Sequence, residues 1–422
     1  MTDKFKSKQI PSIKGTKDIL PYEVGKWQKV EVAAKRIFES YGYREIRTPV
    51  FEATELFEKG TGETTDIVIK EMYTFTDKGG RSLTLRPEYT PSVVRAIIEK
   101  RLDLNPQPMR FYFVGPMFRY DKPQKGRYRQ FHQIDIEVFG EEDPAIDAEI
   151  VQMAEFFLKH LRVTDTKIIV NSVGCKECRP SYLKKLRAAA EKEKEHLCEN
   201  CQRKIETNPL RIFDCKIDAC RDTAKNFPKI TDSLCTECKT HFRTFCSHLD
   251  LFGITYAVDP RLVRGIDYYT KTTFEFVTSK LGAQDAILGG GRYDEMMKDF
   301  GGPDICGIGF AVGMERLLEI VPFEEEKPEF LYIAYMGEAA KKRGMKLAQR
   351  IREKGRETMI EYRERSLKNQ MNRANKLEAS WVLIVGEDEV KKGTYQLKNM
   401  KTGEQVEEAE ENILKIIEDK VV

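Results

Sequence analysis

Residues 131–138 alternate in character. Phe131, Gln133, Asp135 and Glu137 fall on one side of an extended chain, and Ile134, Ile136 and Val138 on the other. The apolar side must turn to a core, which leaves an amide and two carboxylates on the opposite face. A second strand-like run ends at Phe118 and Arg119. The loop between the runs carries Lys122, Pro123, Gln124, Lys125, Gly126, Arg127 and Arg129. The segment FRYDKPQKGRYRQFHQIDIE therefore predicts a hairpin whose polar face lies beside a cationic loop. Such a surface suits a polar, cationic or amphoteric small molecule next to phosphates. The plain alternative is a solvated hairpin with a charged outer face.

At 422 residues the chain can form two or three domains, each with its own core. A third of the residues are charged, yet the formal net charge is only +3. Nucleic-acid contact must then come from local basic patches rather than from bulk charge. The N-terminal MTDKFKSKQIPSIKG lacks the apolar core of a secretory signal, and no apolar run approaches the ~20 residues needed to span a bilayer. A soluble, cytoplasmic protein with no membrane partner is expected.

Nine of the ten cysteines lie between Cys175 and Cys246. C-x2-C pairs occur at Cys175/Cys178, Cys198/Cys201 and Cys235/Cys238, with a wider pair at Cys215/Cys220. The nineteen residues between the first two pairs match tetrathiolate zinc sites, so Cys175, Cys178, Cys198 and Cys201 are the first candidate ligands for structural Zn²⁺. Cys215, Cys220, Cys235 and Cys238 are further candidates, and spacing does not say which pairs share an ion. Redox thiols remain an alternative, and disulfides a weaker one in a reducing compartment.

Three zones and a tail are visible. Residues 1–170 mix helical spacing (Glu31–Ser40, Thr90–Leu102) with aromatic-rich strand patterns, one broken at Pro49. Residues 171–253 form the charged, Cys-rich insert, helical around Tyr182–His196. Strand patterns return over 254–324, at Ile254–Val258 and Thr272–Val277. The first and third zones predict one antiparallel-sheet domain interrupted by the insert. The run FEEEKP (Phe323–Pro328) marks a linker. Residues 329–422 then alternate strand and helix, predicting a separate α/β domain with a mostly parallel sheet.

No GxxxxGK[ST] loop is present, and GIGFAVG places its third glycine one position too late for a dinucleotide fingerprint. The better reading is a glycine-flattened strand entering a helix, with Arg316 in its first turns and Leu317, Leu318 and Ile320 packed inward. Arg119 at a strand end and Arg264 in LVRGIDYYT both need anionic partners if half-buried. Glu88 and Thr90 in RPEYT can be helix caps, and Tyr268 and Tyr269 ordinary strand aromatics, when each is taken singly. Three such arginines with several inward polar groups in one sheet domain make separate structural explanations strained.

Taken together, these segments resemble the histidyl-tRNA synthetases, a class II aminoacyl-tRNA synthetase family, over nearly the whole chain. GYREIRTPVFE, FRYDKPQKGRYRQFHQ and GIGFAVGMERL are similar to the three class motifs, and RGIDYYT and GGGRYD to the two peptides peculiar to the histidine enzymes. RSLKNQMNRANKLEASWVLIVGEDE resembles the anticodon-binding domain of the subclass. The resemblance implies an α+β fold: a class II antiparallel-sheet catalytic domain with a Cys-rich helical insert, plus a C-terminal α/β anticodon-binding-type domain. It implies activation of L-histidine by ATP with Mg²⁺, transfer to the terminal adenosine of tRNA-His, and a homodimer. Ile46–Phe51 would lie at the dimer interface, or equally in an internal core.

The same resemblance assigns residues. Arg119 would hold the ATP α-phosphate, Arg316 the γ-phosphate, and Arg264 would bridge the substrate carboxylate and the α-phosphate. Asp121 stands where glutamate usually meets adenine, and Arg127 and Lys125 would lie near the phosphates and the tRNA end. Glu88 and Thr90 would take the α-amino group, and Gln133 would support the polar backbone end. Glu137 and Tyr269, with Tyr268 and Tyr293 nearby, would contact the imidazole. Tyr89 replaces a smaller residue and either narrows the pocket or points away. The insert carries far more cysteine than the minimal family insert, although TNPLRIFDCK is similar to a peptide found there. The rival reading is a non-catalytic paralogue, a regulatory subunit of histidine biosynthesis or a sensor of uncharged tRNA. The three arginines and the complete C-terminal segment speak for the enzyme. A class II synthetase for threonine, proline or glycine would not call for the carboxylate of Glu137.

Overall fold

The computed structural model describes residues 10–62, 65–124, 126–282, 286–323 and 329–420. Lys125 and most of the expected linker, residues 324–328, lie outside them. The chain divides into two compact units, residues 1–323 and 324–422.

In the first unit the strands are β1 (Arg44–Glu45), β2 (Phe51–Ala53), β3 (Tyr73–Thr76), β4 (Ser82–Leu85), β5 (Met109–Phe118), β6 (Gln130–Phe139), β7 (Lys167–Ser172), β8 (Tyr256–Val258), β9 (Thr270–Val277), β10 (Ala286–Arg292) and β11 (Gly307–Gly313). Eight of them form one sheet in the order β1-β5-β6-β11-β10-β9-β7-β8. The six central strands pair antiparallel. Both edges depart from the expected pattern, because β1 joins β5 and β8 joins β7 in parallel. The β5–β6 hairpin is longer than its sequence pattern suggested and runs in unbroken register from Met109↔Phe139 to Phe118↔Gln130. β2, β4 and β3 make a small separate antiparallel sheet.

One face of the large sheet is apolar. Ile134, Ile136, Val138, Phe274, Phe276, Ile308 and Phe310 pack there with Val30, Ala34 and Phe38 of the helix Pro21–Ser40, and with Ile150, Ala154 and Phe157 of the helix Pro144–His160. The first helix starts on Pro21, whose missing N–H costs nothing at that position. The second is capped by Asp143, whose Oδ1 accepts from Ala145 N at 2.8 Å. With this face closed, the polar alternate residues of β6 point to the other side. The insert leaves the sheet after β7 and returns before β8. It contains the helices Arg179–Lys192, Glu199–Thr207, Asp218–Ala224 and Thr236–Leu251.

The second unit has strands β12 (Leu331–Met336), β13 (Thr358–Ile360), β14 (Trp381–Gly386), β15 (Thr394–Asn399) and β16 (Gln405–Ala409), ordered β13-β12-β14-β15-β16. β13, β12 and β14 are parallel, as their intervening helices require. β15 and β16 are antiparallel, so the sheet is half rather than mostly parallel. Short returns at 387–393 and 400–404 leave no room for a crossover helix that would keep the direction. No helix among the described residues is long and apolar enough to cross a membrane.

Beneath the large sheet Arg292 and Asp147 are both fully buried, with Arg292 Nε 2.8 Å from Asp147 Oδ1 and Nη2 2.9 Å from Glu141 O. Removing Asp147 leaves the buried guanidinium with Asp294, at 3.4 Å and longer than ideal, as its remaining anionic partner. Asp147→Ala is therefore expected to lose about 3–5 kcal/mol in chemical denaturation, and a loss below about 1 kcal/mol would contradict a closed buried pair.

Candidate active site

A cavity of about 260 Å³ opens on the polar face of the large sheet, and its walls come from segments far apart in sequence. β6 contributes Gln133, Asp135 and Glu137; the start of the helix Thr90–Glu99 and the turn before it contribute Thr90 and Glu88; the segment before β9 contributes Arg264, Tyr268 and Tyr269. Arg119, Asp121 and Arg127 enter from the β5–β6 loop, Tyr293 follows β10, and Arg316 lies in the helix Met314–Ile320. Every candidate active-site residue from the sequence thus stands at one cavity, except Lys125, which lies outside the described residues.

The carboxylate end is tightly wired. Glu88 accepts from Thr61 Oγ1 at 2.8 Å and from Tyr268 OH at 3.0 Å. Glu137 accepts from Thr90 Oγ1 at 2.5 Å and from the Tyr293 hydroxyl. Glu88 and Thr90 are pocket groups, since neither side chain caps the following helix. Gln133 Oε1 and Asp135 Oδ1 are buried with no hydrogen-bond partner among the described residues, an arrangement that favours a donor arriving from a ligand. Burial raises the Glu88 carboxyl to about 7, against the pull of Thr61, Arg119 and Tyr268. Burial likewise lifts Glu137 to about 8, and Asp135 goes well above the ordinary carboxylate range through burial and the nearby Glu137 and Glu88 charges.

The cationic end is formed by three half-buried arginines. Arg119 Nε donates to Pro87 O at 2.8 Å, and its guanidinium lies 5.3 Å from the centre of the Phe131 ring. Arg316 Nη1 donates to Ala286 O at 2.7 Å. Arg264 pairs with Glu275; burial opposes its charge, but the Glu275 carboxylate holds its pKa above the usual value. Two glycines create the room. A Cβ on Gly289 would occupy the Arg264 guanidinium, and one on Gly309, the register partner of Glu137, would strike the Glu137 carboxylate. At the rim Asp121 Oδ2 lies 2.8 Å from Arg127 Nε.

Sequence reasoning missed Thr61 and Glu275. Glu275 had a signal, because it alternates with core-facing Phe274 and Phe276 and so must face the pocket side. Thr61, at the end of a separate helix, had none. The Tyr89 side chain turns away from the carboxyl end of the cavity: its hydroxyl donates to Ile46 O at 2.8 Å and its ring stacks on Phe113 at 3.6 Å.

Residues 15–317 match the family model for histidyl-tRNA synthetase, and residues 331–420 the model for an anticodon binding domain. The chain belongs to the histidyl-tRNA synthetase family. It is 50% identical over 399 residues to the histidine--tRNA ligase of Halothermothrix orenii, covering 93% of this chain and 95% of that protein. It is 47% identical over 409 residues to that of Thermodesulfovibrio yellowstonii, with 96% and 97% covered. The crystal structure of apo histidyl-tRNA synthetase from S. aureus superposes with a TM-score of 0.81 at 36% identity, covering 97% of this chain and all of that one.

Away from the pocket the cysteines form two groups, and their partition corrects the simplest spacing argument. Cys175 and Cys178 do not join Cys198 and Cys201. They meet Cys235 and Cys238, while Cys198 and Cys201 meet Cys215 and Cys220. The reason is that the insert folds back on itself, so its first and last pairs come together around the middle two. Within each group all sulfurs lie within 4.8 Å of one another. The Cys175–Cys178, Cys175–Cys235 and Cys178–Cys238 Sγ distances are 3.7, 3.9 and 3.9 Å. A tetrahedron with Zn–S bonds near 2.3 Å has edges of about 3.8 Å, so both groups fit that ion, whereas a disulfide needs sulfurs about 2.05 Å apart. Cys198 and Cys235 each begin a helix and accept from the N–H groups of Cys201 and Cys238, both at 3.5 Å, contacts that favour thiolates.

For Glu137 the folded pKa of about 8 exceeds the ordinary 4.5, so folding favours the protonated form. That contribution is complete below 4.5 and is lost as pH rises through about 8. Glu88 acts in the same sense, ending near 7. The ligand-free thermal midpoint of Glu137→Gln, which cannot ionise, should rise relative to wild type as pH goes from about 5 to about 9. A gap independent of pH would contradict a buried, protonated Glu137.

Proposed function

We infer that this chain is a histidine--tRNA ligase, activating L-histidine with ATP to histidyl adenylate and transferring it to the 3′ terminal adenosine of tRNA-His. One observation carries the reading at this site: a desolvated cup, whose two carboxyls are raised by burial, adjoins a groove with three arginines in a single cavity. Histidine and a triphosphate are the complementary pair. The amino acid brings an ammonium and an imidazole to the carboxyl end, and ATP brings its charge to the guanidinium end.

In the first step an oxygen of the histidine carboxylate attacks the α-phosphorus of ATP, the bond to the bridging oxygen breaks, and pyrophosphate leaves. Arg119 and Arg264 flank the α-phosphate and oppose the charge that grows on it, while Arg316 holds the γ-phosphate. Glu275 keeps Arg264 charged and aimed. Asp121 and Arg127 border the adenine and phosphate region. Mg²⁺ enters as part of the MgATP substrate. In the second step a hydroxyl of the terminal ribose attacks the acyl carbon and AMP departs.

Glu88 and Thr90 receive the α-ammonium, and Gln133 its neighbouring polar end. Glu137, held by Thr90 and Tyr293, accepts from one ring nitrogen, and Tyr268 and Tyr269 enclose the ring. An apolar amino acid would leave these buried groups unpaired, which is a strong basis for rejection. The catalytic domain comprises 1–170 and 254–324, the insert 171–253 approaches tRNA, and 329–422 binds the anticodon. Val50, Phe51 and Phe75 are exposed on the small sheet and supply the apolar centre of a homodimer contact. The eight clustered thiols hold structural Zn²⁺, and the protein works in the cytoplasm, where thiols stay reduced.

ATP–pyrophosphate exchange measured with each of the twenty amino acids should respond to histidine alone. Arg264→Ala should reduce that exchange by about 10²–10³-fold. Folded protein without histidine-dependent exchange would contradict the ligase and favour a regulatory paralogue.

A further inference from the structure

The two cysteine groups are nested, and both are tied to the framework of the histidine pocket, the inner one through Asn208 Nδ2, 3.0 Å from Asp267 Oδ1, and through Arg211, which donates to Gly265 O. Cys175 and Cys178 stand just beyond the end of β7, and Cys235 and Cys238 open the helix that leads back to β8. The outer group therefore closes the root of the insert, joining chain positions 60 residues apart. The inner group, Cys198, Cys201, Cys215 and Cys220, lies wholly within that excursion.

Three links run from the outer group to the pocket wall. Arg179, next to Cys178, donates to Val173 O at 3.1 Å, to Gly174 O at 3.3 Å and to the carbonyl of Tyr269. The backbones of Val173 and Gly174 pair with Lys271, through Val173 N to Lys271 O at 2.8 Å and Lys271 N to Gly174 O at 2.9 Å. Lys271 Nζ then bridges Glu237, which lies between Cys235 and Cys238, at 3.0 Å and Asp294 at 3.3 Å. Asp294 directly follows Tyr293, whose hydroxyl holds Glu137. Tyr269 and Tyr293 are both pocket-lining side chains.

We propose that the outer tetrathiolate is a zinc clasp that positions Tyr269 and Tyr293, so that metal loading at Cys175, Cys178, Cys235 and Cys238 sets the affinity of the site for histidine. The inner site is a second, separate zinc that staples the insert itself. This rests on the zinc and histidine readings above. The outer ion takes no part in the chemistry; it fixes the turn from which Arg179 and Glu237 reach the Tyr269–Lys271 segment. Without a cation the four sulfurs revert to thiols with no bond holding them together, and this turn loosens.

The test uses full-length protein and two readouts. Elemental analysis after exhaustive dialysis should find two zinc ions per chain in the wild type, and one each in Cys235→Ser/Cys238→Ser and Cys198→Ser/Cys201→Ser. In the exchange assay the outer double variant should show a histidine KM about tenfold or more higher, with the KM for ATP within about twofold of wild type. Arg179→Met keeps all eight thiols and guards against misfolding of the cysteine variants: it should retain two zinc ions and raise the histidine KM in the same direction. A zinc-free wild type that still exchanges with histidine overturns the metal reading and the clasp with it. Two zinc ions with an unchanged histidine KM in both the outer variant and Arg179→Met overturn the clasp and leave the zinc reading standing.

Discussion

Two side chains, the Arg264 guanidinium and the Glu137 carboxyl, enter the polar face of the large sheet only because Gly289 and Gly309 have no Cβ there. Glycine weakens a strand by roughly 0.5–1 kcal/mol relative to alanine through backbone entropy. The opposite face of the same strands offsets that cost, with Leu288, Ile308, Phe310 and Val312 buried in one core with Phe274 and Phe276 of β9. A sheet dry on one face and hollowed on the other is the condition for everything that follows. It lets a cation and a carboxyl group stand in one desolvated space with their partners already arranged.

Desolvation then divides the labour. At the arginine end, Glu275 keeps Arg264 ionised despite burial, and the guanidinium presents its charge without further reorganisation when a phosphate arrives. At the carboxyl end no cation sits against Glu137, whose described partners are the hydroxyls of Thr90 and Tyr293, and it rests protonated. In the proposed function, a ligand bearing an ammonium and a ring nitrogen would restore the ionised state that burial suppresses. Selectivity and electrostatic strain are thus the same fact seen from two sides.

Much of this was legible in the residues. The period-two pattern of 131–138 placed Ile134, Ile136 and Val138 in the core and the acids on the working face. The five short motifs led to the family, and strand–helix alternation after residue 329 announced the second unit. What stayed hidden depended on distant parts of the chain meeting. The cysteine partition follows from how the insert doubles back, which local spacing does not encode. Parallel edges at β1 and β8, and the extra hairpin strand β16, are decided by partners rather than by propensity. Thr61 reaches Glu88 only because two helices pack there. Tyr89, suspected of crowding the pocket, instead anchors the segment 46–48 through its hydroxyl.

The central claim is that histidine enters a site where Glu137 is mostly, and Glu88 partly, protonated when empty, and where both are ionised when filled. Isothermal titration of histidine into the free protein near pH 7, repeated in buffers of different ionisation enthalpy, reads this directly. Net release of protons on binding, abolished or sharply reduced when Glu88 and Glu137 are both replaced by glutamine in any variant that still binds, is the predicted result. Proton uptake, or heats independent of the buffer, would contradict it.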